Sequence, residues 1–245
     1  MKIAIIGAGA MGSLFGGRLA LAGEEVWLLD VWEEHVRTIR DKGLTIATAA
    51  KDLVARPKAT TKPEDIGQAD LVIIFVKSSA TRAAAETAAG LLGAETAVLT
   101  LQNGYGNAET IADVVGAERV IAGTTAQGAT LLGPGRIMHG GSGDTHIGDL
   151  GGRKTDRLAK VAACLTRAGI QTVADDNVAT LIWGKLVVNV GINALTAITG
   201  LKNGELADHE ETRQVLAMAV EEAVRVADAA GIKLPYDNAV EKVLA

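Results

Sequence analysis

Short apolar runs recur along the first two-thirds of the chain, each followed by a stretch of helical periodicity, and that alternation predicts βαβ units around a parallel sheet. Lys2–Ile6, Val26–Leu29, Leu71–Val76, Ala97–Leu101 and Val120–Gly123 read as strands almost without a polar face, as strands covered on both sides do. Helices are expected over Met11–Ala22, ended by Gly23, over Thr81–Leu92 and over Ala108–Val115. From Thr124 to Gly148 the pattern changes to short strands punctuated by glycine, with Gly133-Pro134-Gly135 as a hairpin turn and Thr145–Gly148 as the closing strand; these are expected to extend the sheet antiparallel. A helix over about Thr155–Ala168 and an edge strand over Ile170–Val173 complete this part.

After Asp175-Asp176 the strand pattern ends, and Asn177–Ile192, Gly204–Ala230 and a segment from Pro235 or Tyr236 read as helices. The fold class is therefore α/β, a doubly wound Rossmann sheet over residues 1–175 followed by an all-helical domain over residues 176–245. Asp237–Ala245 is amphipathic and helical, yet runs out without a capping residue or terminal turn, which predicts further residues beyond Ala245.

The junction between the first strand and the first helix carries chemistry. Gly7-Ala8-Gly9-Ala10-Met11-Gly12 follows Lys2–Ile6 directly. In a dinucleotide-binding turn, Gly7 permits the tight exit from the strand, Gly9 lets the backbone approach a pyrophosphate, and Gly12 lets the helix pack closely on the sheet. The unpaired N–H groups at the helix start, and the positive end of its dipole, then face the phosphates. Asp30 closes the next strand about 20 residues on, where a carboxylate accepts hydrogen bonds from the ribose hydroxyls of the adenosine half. A glycine-rich turn alone also arises for steric reasons in α/β folds without a ligand; its place between a strand and a helix, with an acid ending the second strand, favours the dinucleotide.

Composition narrows the class further. At 245 residues and 48% hydrophobic, the chain can bury a sizeable core, and a net charge of −5 without like-charge blocks argues against a nucleic-acid partner. The single cysteine, Cys164, lies in an apolar helical stretch and reads as a buried structural thiol, in keeping with a reducing cytoplasm. Met1-Lys2 leads straight into the first strand, so no signal peptide is expected, and no apolar run is expected to reach the length that crosses a bilayer. There is no metal-ligand motif. His139 and His146 read as surface or strand histidines, since neither has a spaced acid or ligand partner in the sequence.

A second constellation lies in the helical part. Lys185, Asn189 and Asn193 recur every four positions and so form one stripe on a helix whose other faces are apolar. A buried lysine with two carboxamides needs partners, which suggests a site; a structural polar network, or a lysine reaching solvent past an apolar stem, reads the same pattern. Lys77 and Gln102-Asn103-Gly104 end strands at the carboxyl edge of the sheet, where doubly wound folds bind ligands, although a strand-capping lysine and an Asn-Gly turn are common there as well. Leu201–Leu206 reads as a turn with an N-cap before the next helix.

Together, Gly7–Gly12, Phe75-Val76-Lys77, Gln102-Asn103-Gly104, Thr145–Gly148, Lys185–Ala197 and Asn203-Gly204-Glu205-Leu206 resemble the ketopantoate reductase (2-dehydropantoate 2-reductase) family over essentially the whole chain. The lysine with Asn-x-x-x-Asn-x-Leu-Thr-Ala is the most specific piece. The resemblance implies reduction of a 2-oxo acid by NADH or NADPH, with Lys185 as general acid and catalytic residue. Gly7, Ala8, Gly9, Ala10, Met11, Gly12, Asp30, Lys77, Asn103 and Ala129 would contact the cofactor, and Asn103, Lys185, Asn189, Asn193 and Asn203 the substrate. A homodimer is compatible with it. Well-known members use NADPH and carry an arginine just past the second strand. Here Asp30 is followed by Val31 and Trp32, so NADH is the expected cofactor, and an NAD-dependent D-2-hydroxyacid dehydrogenase of another branched or aromatic 2-oxo acid is the alternative enzyme. The family's later serine and catalytic glutamate fall beyond Ala245, and Glu205 and Asp208 do not match that position. A dinucleotide-binding protein without catalysis is the reading of a different class.

Overall fold

The computed structural model describes residues 1–152 and 155–244, so Ala245, the last residue of the expected terminal helix, lies outside the described residues. In chain order the elements are β1 (Lys2–Ile6), α1 (Ala10–Leu21), β2 (Glu25–Leu29), α2 (Glu33–Lys42), β3 (Leu44–Ala47), β4 (Leu53–Ala55), β5 (Lys58–Thr60), β6 (Ala69–Ile74), α3 (Thr81–Ala89) and β7 (Leu92–Thr100). Then come α4 (Asn107–Val115), β8 (Val120–Thr125), β9 (Gly128–Gly133), β10 (Arg136–Gly141), β11 (Thr145–Asp149), α5 (Asp156–Arg167), β12 (Thr172–Ala174), α6 (Val178–Thr199), α7 (Glu210–Ala229) and α8 (Ala239–Leu244). They form two compact units: Met1–Gln102 with Gly106–Val178, and Asn103–Tyr105 with the chain from Ala179 onward.

The first unit is the expected doubly wound α/β sheet, in the order β5-β2-β1-β6-β7-β8-β11-β12. Its strands run parallel from β5 through β8; β11 pairs antiparallel with β8, and β12 runs parallel to β11. Ile3, Ala4 and Ile5 of β1 and Leu71, Val72, Ile73 and Ile74 of β6 are fully buried, which is why these segments show no polar alternation. The main core joins them to Phe15 and Leu19 of α1 and to Leu158, Val161 and Leu165 of α5. Cys164 is buried in α5 as expected, and burial pushes its thiol up to about 11, an unreactive state.

The hairpin is placed differently from the sequence expectation. Only β11 extends the main sheet antiparallel; β9 and β10 pair with each other, and β10 pairs parallel with β3, giving a separate four-stranded sheet β4-β3-β10-β9. The cause lies in α1. Phe15 and Leu19 face the main core, while Leu14 is buried in a cluster with Ile46 of β3 and Ile137 of β10, so the helix has two apolar sides and a small sheet covers the second.

In the second unit, α6 runs past the expected end at Ile192 to Thr199, and Gly204–Asp208 is a short 3₁₀ segment separated from α7 by the extended His209. Val187 of α6 packs with Leu206, Leu216, Val220 and Ala239 as a small core. A side chain at Gly191 would come within 2.9 Å of Val220 and of Val243, so α6 meets α7 and α8 closely there. The expectation that this helix is buried holds only for its first half: Asn193 is exposed and Ile198 is 81% exposed. Contrary to the sequence reading, α6 is long and apolar enough to cross a membrane by length and composition. It carries Lys185 and two asparagines and packs as a core helix of its unit.

Candidate active site

Because β1 lies between β2 and β6, the strand order reverses at β1 and a crevice opens beyond the carboxyl ends of the strands. A cleft of about 510 Å³ occupies it. The backbone around the cleft is tightly tied. Gly7 N–H donates to Leu29 O and Phe75 N–H to Ile6 O, both at 2.9 Å, so the ladder continues past the strand ends. Gly7 has φ +95°, which a residue with a side chain rarely adopts, and a Cβ on it would lie 2.9 Å from Val76 N. A Cβ on Gly12 would lie 1.9 Å from Gly7 O, so α1 can start where it does only with a bare residue. Gly9 differs: a side chain there would meet nothing within 4 Å, and the residue lines the cleft. The protein itself does not require that glycine; a ligand approaching its backbone would. No acidic residue occupies the first turn of α1 itself, and the positive end of its dipole lies at the Gly7–Gly9 turn that borders the cleft.

Asp30 stands at the rim of the same cleft with its carboxylate fixed. Ala8 N–H donates to Oδ2 at 2.6 Å and Trp32 N–H to Oδ1 at 2.9 Å, leaving each oxygen a further lone pair for a ligand hydroxyl. Next to it Val31 is 94% exposed, and the chain offers no cation at either following position. Lys77 is exposed, lines the cleft from the end of β6, and so belongs to the same site. Sequence reasoning missed other walls: Thr61 and Pro63, Ala80 just before α3, and the small residues Ala83, Ala84 and Thr87 along it. The only signal for α3 was its run of alanines. Ala8, Ala10 and Met11 do not line the cleft; Ala8 lies in the turn, Ala10 and Met11 begin α1, and the Met11 side chain packs on the core. Ala129 does not line this cleft; it lies in β9 beside Leu14, Ile46 and Ile137.

At the end of β7 the Gln102 amide donates to Val76 O at 2.8 Å and to Thr81 Oγ1 at 2.9 Å, and Thr81 in turn donates to Asn107 at 3.0 Å. This clamp ties the carboxyl ends of β6 and β7 to the starts of α3 and α4. Asn103 follows it, exposed, in a turn that has Gly104 at φ +93° and Gly106 at φ +91°.

In the second unit α6 is continuous, so Lys185, Asn189 and Asn193 do share one stripe. Lys185 and Asn189 are half-buried and Asn193 is exposed. Burial holds the Lys185 ammonium below the usual lysine range, which moves it toward the working range of a proton donor. Trp183, on the same helix, packs against Tyr105 with ring centroids 5.2 Å apart. Asn203 is exposed at the start of the 3₁₀ segment and makes no capping bond; Glu205 accepts from Lys202 N–H at 2.7 Å instead, which corrects the simple N-cap reading of that turn. The histidines have partners that spacing hid: His146 bonds Asp175 at 2.7 Å, and His139 bonds Gln127 at 2.9 Å and Arg18 at 3.1 Å. Among the described residues no His, Cys, Asp and Glu side chains cluster as a metal site would require.

Residues 3–152 match the ketopantoate reductase family PanE/ApbA, and residues 177–245 match its C-terminal part. The chain belongs to the ketopantoate reductase family. Its members are NAD(P)-dependent oxidoreductases acting on 2-oxo acids, so the expectations of an enzyme of that class and of a nicotinamide cofactor hold. Among curated relatives, the 2-dehydropantoate 2-reductase of Halobacterium salinarum is 40% identical over 99% of this chain and 80% of its own length, and that of Pyrococcus abyssi 38% identical over 95% and 76%. Among solved structures, D-mandelate dehydrogenase with NADH and anilino(oxo)acetate superposes with a TM-score of 0.93 at 34% identity, over 100% of this chain and 79% of that one. The ketopantoate reductase from Ralstonia eutropha does so with a TM-score of 0.90 at 37% identity, over 100% and 79%. Within the family, the open Gly9, the fixed Asp30 and the cleft between them suit a dinucleotide.

Proposed function

We propose that the protein reduces 2-dehydropantoate to (R)-pantoate with a nicotinamide cofactor. Residues 1–175 act as the dinucleotide-binding domain and residues 176–245 as part of the substrate domain. The observation that carries the reading is Lys185, a half-buried lysine held below its usual range on one helical stripe with Asn189 and Asn193, in a family of 2-oxo acid reductases. The cofactor supplies the hydride. As negative charge grows on the carbonyl oxygen, the Lys185 ammonium stabilises it and donates the proton that completes the alcohol. Asn103, Asn189, Asn193 and Asn203 hold the substrate's hydroxyl and carboxylate with amide donors, while Gly7–Gly12, Lys77 and Asn103 hold the cofactor.

A second reading has its own support. The Asp30 carboxylate, followed by Val31 and Trp32 rather than by a cation, would repel a 2′-phosphate, and the similar D-mandelate dehydrogenase was solved with NADH. The protein would then be an NADH-dependent reductase of a branched or aromatic 2-oxo acid. Steady-state rates on ketopantoate, 2-oxoisovalerate and phenylglyoxylate with both cofactors separate the two. Highest kcat/KM on ketopantoate supports the first reading, and highest kcat/KM on phenylglyoxylate the second. Dinucleotide binding without turnover on any 2-oxo acid refutes both and leaves a binding protein.

The role of Asp30 has its own expected result. Asp30→Ala combined with Val31→Arg should move the NADPH-to-NADH ratio of kcat/KM upward by about 10²-fold or more, since removing a repulsion and adding a charge-assisted phosphate contact each contribute about 1.5–3 kcal/mol. An unchanged ratio would show that Asp30 does not face the ribose.

A further inference from the structure

The buried imidazole of His35 is unused by the mechanism above, and its surroundings assign it a task. His35 and Ser13 are both fully buried in the first unit. Gly135 N–H, at the turn between β9 and β10, donates to His35 Nδ1 at 3.0 Å, so Nδ1 is the bare nitrogen and the ring proton sits on Nε2. Nε2 lies 3.2 Å from Ser13 Oγ, and Ser13 Oγ donates to Ala8 O at 2.7 Å, so the order of donation is fixed: Gly135 to His35, His35 to Ser13, Ser13 to Ala8. Trp32 stacks on the imidazole at 5.1 Å with 9° between the ring planes and holds its orientation. Burial, opposed by the nearby Asp30 charge and by a hydrogen bond to the Ala8 backbone, holds the imidazole below its usual range, which favours the neutral ring that this order requires.

The last bond in the series matters for the cleft. The peptide between Ala8 and Gly9 is trans, so with Ala8 C=O drawn inward to Ser13, the Gly9 N–H is turned the opposite way. The preceding peptide is held at the same time by Ala8 N–H on Asp30. We propose that Ser13 and His35 are positioning residues for the dinucleotide: they lock the Ala8–Gly9 peptide so that the Gly9 amide faces the cofactor cleft, and they tie that peptide to the β9–β10 turn of the small sheet. This rests on the reading of the cleft as the dinucleotide site. It gives the second sheet a part in the reaction, because a shift of the Gly135 turn is transmitted through two side chains to the amide that meets the cofactor.

The test measures NADH and NADPH affinity of the whole chain by nucleotide fluorescence, together with kcat and cofactor KM, for four variants. Ser13→Ala removes the bond to Ala8, and Ser13→Thr restores the hydroxyl. His35→Asn keeps an acceptor for Gly135 and loses the donor to Ser13. Thr96→Val is the control: it deletes an equally buried hydroxyl that bonds Ala69 O at 2.6 Å and Gly93 N at 2.7 Å, beside the start of β6 and away from the cleft. Ser13→Ala should raise the Kd and cofactor KM about tenfold, the effect of one misdirected buried hydrogen bond, with kcat at saturation within about twofold of wild type. His35→Asn should fall between wild type and Ser13→Ala, Ser13→Thr should recover most of the affinity, and Thr96→Val should lower Tm without changing Kd. The inference alone is overturned if wild type binds and Ser13→Ala binds equally well, if its loss is confined to kcat, or if Thr96→Val weakens binding as much. Wild type that binds neither nucleotide overturns the dinucleotide reading, and the inference with it.

Discussion

Lys185→Ala should lower kcat for reduction by about 10²-fold to 10⁴-fold, the usual range for a positioned general acid, while cofactor Kd stays near that of wild type. Single-turnover rates at saturating 2-oxo acid and cofactor check this, and a loss confined to KM for the 2-oxo acid would reduce Lys185 to a binding role. The pH dependence carries independent information. The ammonium is the active form, so kcat should fall as pH rises through the Lys185 pKa, and because burial depresses that pKa the fall should begin below the usual lysine range near about 10.4. Lys185→Arg cannot release its proton in that range and should show low activity without the alkaline limb.

Stability should respond to Lys185 in the opposite sense from activity. In the folded chain the lysine loses its proton more readily than in the unfolded chain, so the folded state binds fewer protons between the two pKa values, and stability rises with pH across that window. Below the depressed folded pKa both states are protonated and the whole burial cost is present. Lys185→Met, which keeps the apolar stem and removes the charge, should therefore unfold at a Tm equal to or above wild type at neutral pH, and should lack the rise at alkaline pH. A marked fall in Tm would mean that the ammonium is a stabilising partner in its surroundings.

The parts of the site that could be read in the sequence are those whose chemistry is local. Gly7–Gly12 and Asp30 could be placed because a strand, a turn and a helix start follow one another within a few residues, and Lys185, Asn189 and Asn193 because one helix sets their spacing. The central strands could be read because burial on both faces makes them continuously apolar. Whatever depends on distant partners stayed hidden. β3 is four residues long and finds its partner β10 about 90 residues later, Thr45 against Arg136, so its apolar pattern is too short to mark it, and without β3 the sequence offers the hairpin only the main sheet. Glu33–Lys42 is a helix whose charged residues outnumber its three buried ones, His35, Val36 and Ile39, and apolar periodicity gave it little signal. The cleft walls at Thr61, Pro63, Ala83 and Thr87 are small residues whose identity carries no chemistry; only their position does. His35 could not be read at all, since its meaning depends on Ser13 and Gly135.

The three glycines of the fingerprint should separate in experiment as they do in space. Gly12→Ala places a methyl 1.9 Å from the Gly7 carbonyl oxygen, a backbone atom that cannot turn aside, so α1 must move off β1 or the turn must open. The expected loss is at least about 3 kcal/mol, the upper end of ordinary overpacking, a fall in Tm of roughly 6–12 °C for a chain of this size, together with loss of dinucleotide binding. Gly9→Ala should do neither of the structural things. Gly9 has φ −60° and ψ −164°, an extended conformation with negative φ at the edge of the β region, and its Cβ would meet no protein atom within 4 Å, so Tm should fall far less than for Gly12→Ala. The methyl would instead stand where a pyrophosphate approaches the backbone, and dinucleotide Kd should rise about tenfold to a hundredfold, the equivalent of about 1–3 kcal/mol of steric conflict with the ligand. Calorimetric melting with nucleotide titration of both variants distinguishes a glycine kept for the fold from one kept for the cofactor. If Gly9→Ala bound NADH as tightly as wild type, the pyrophosphate would not lie against this turn, and the assignment of the cleft would fail at its most specific point.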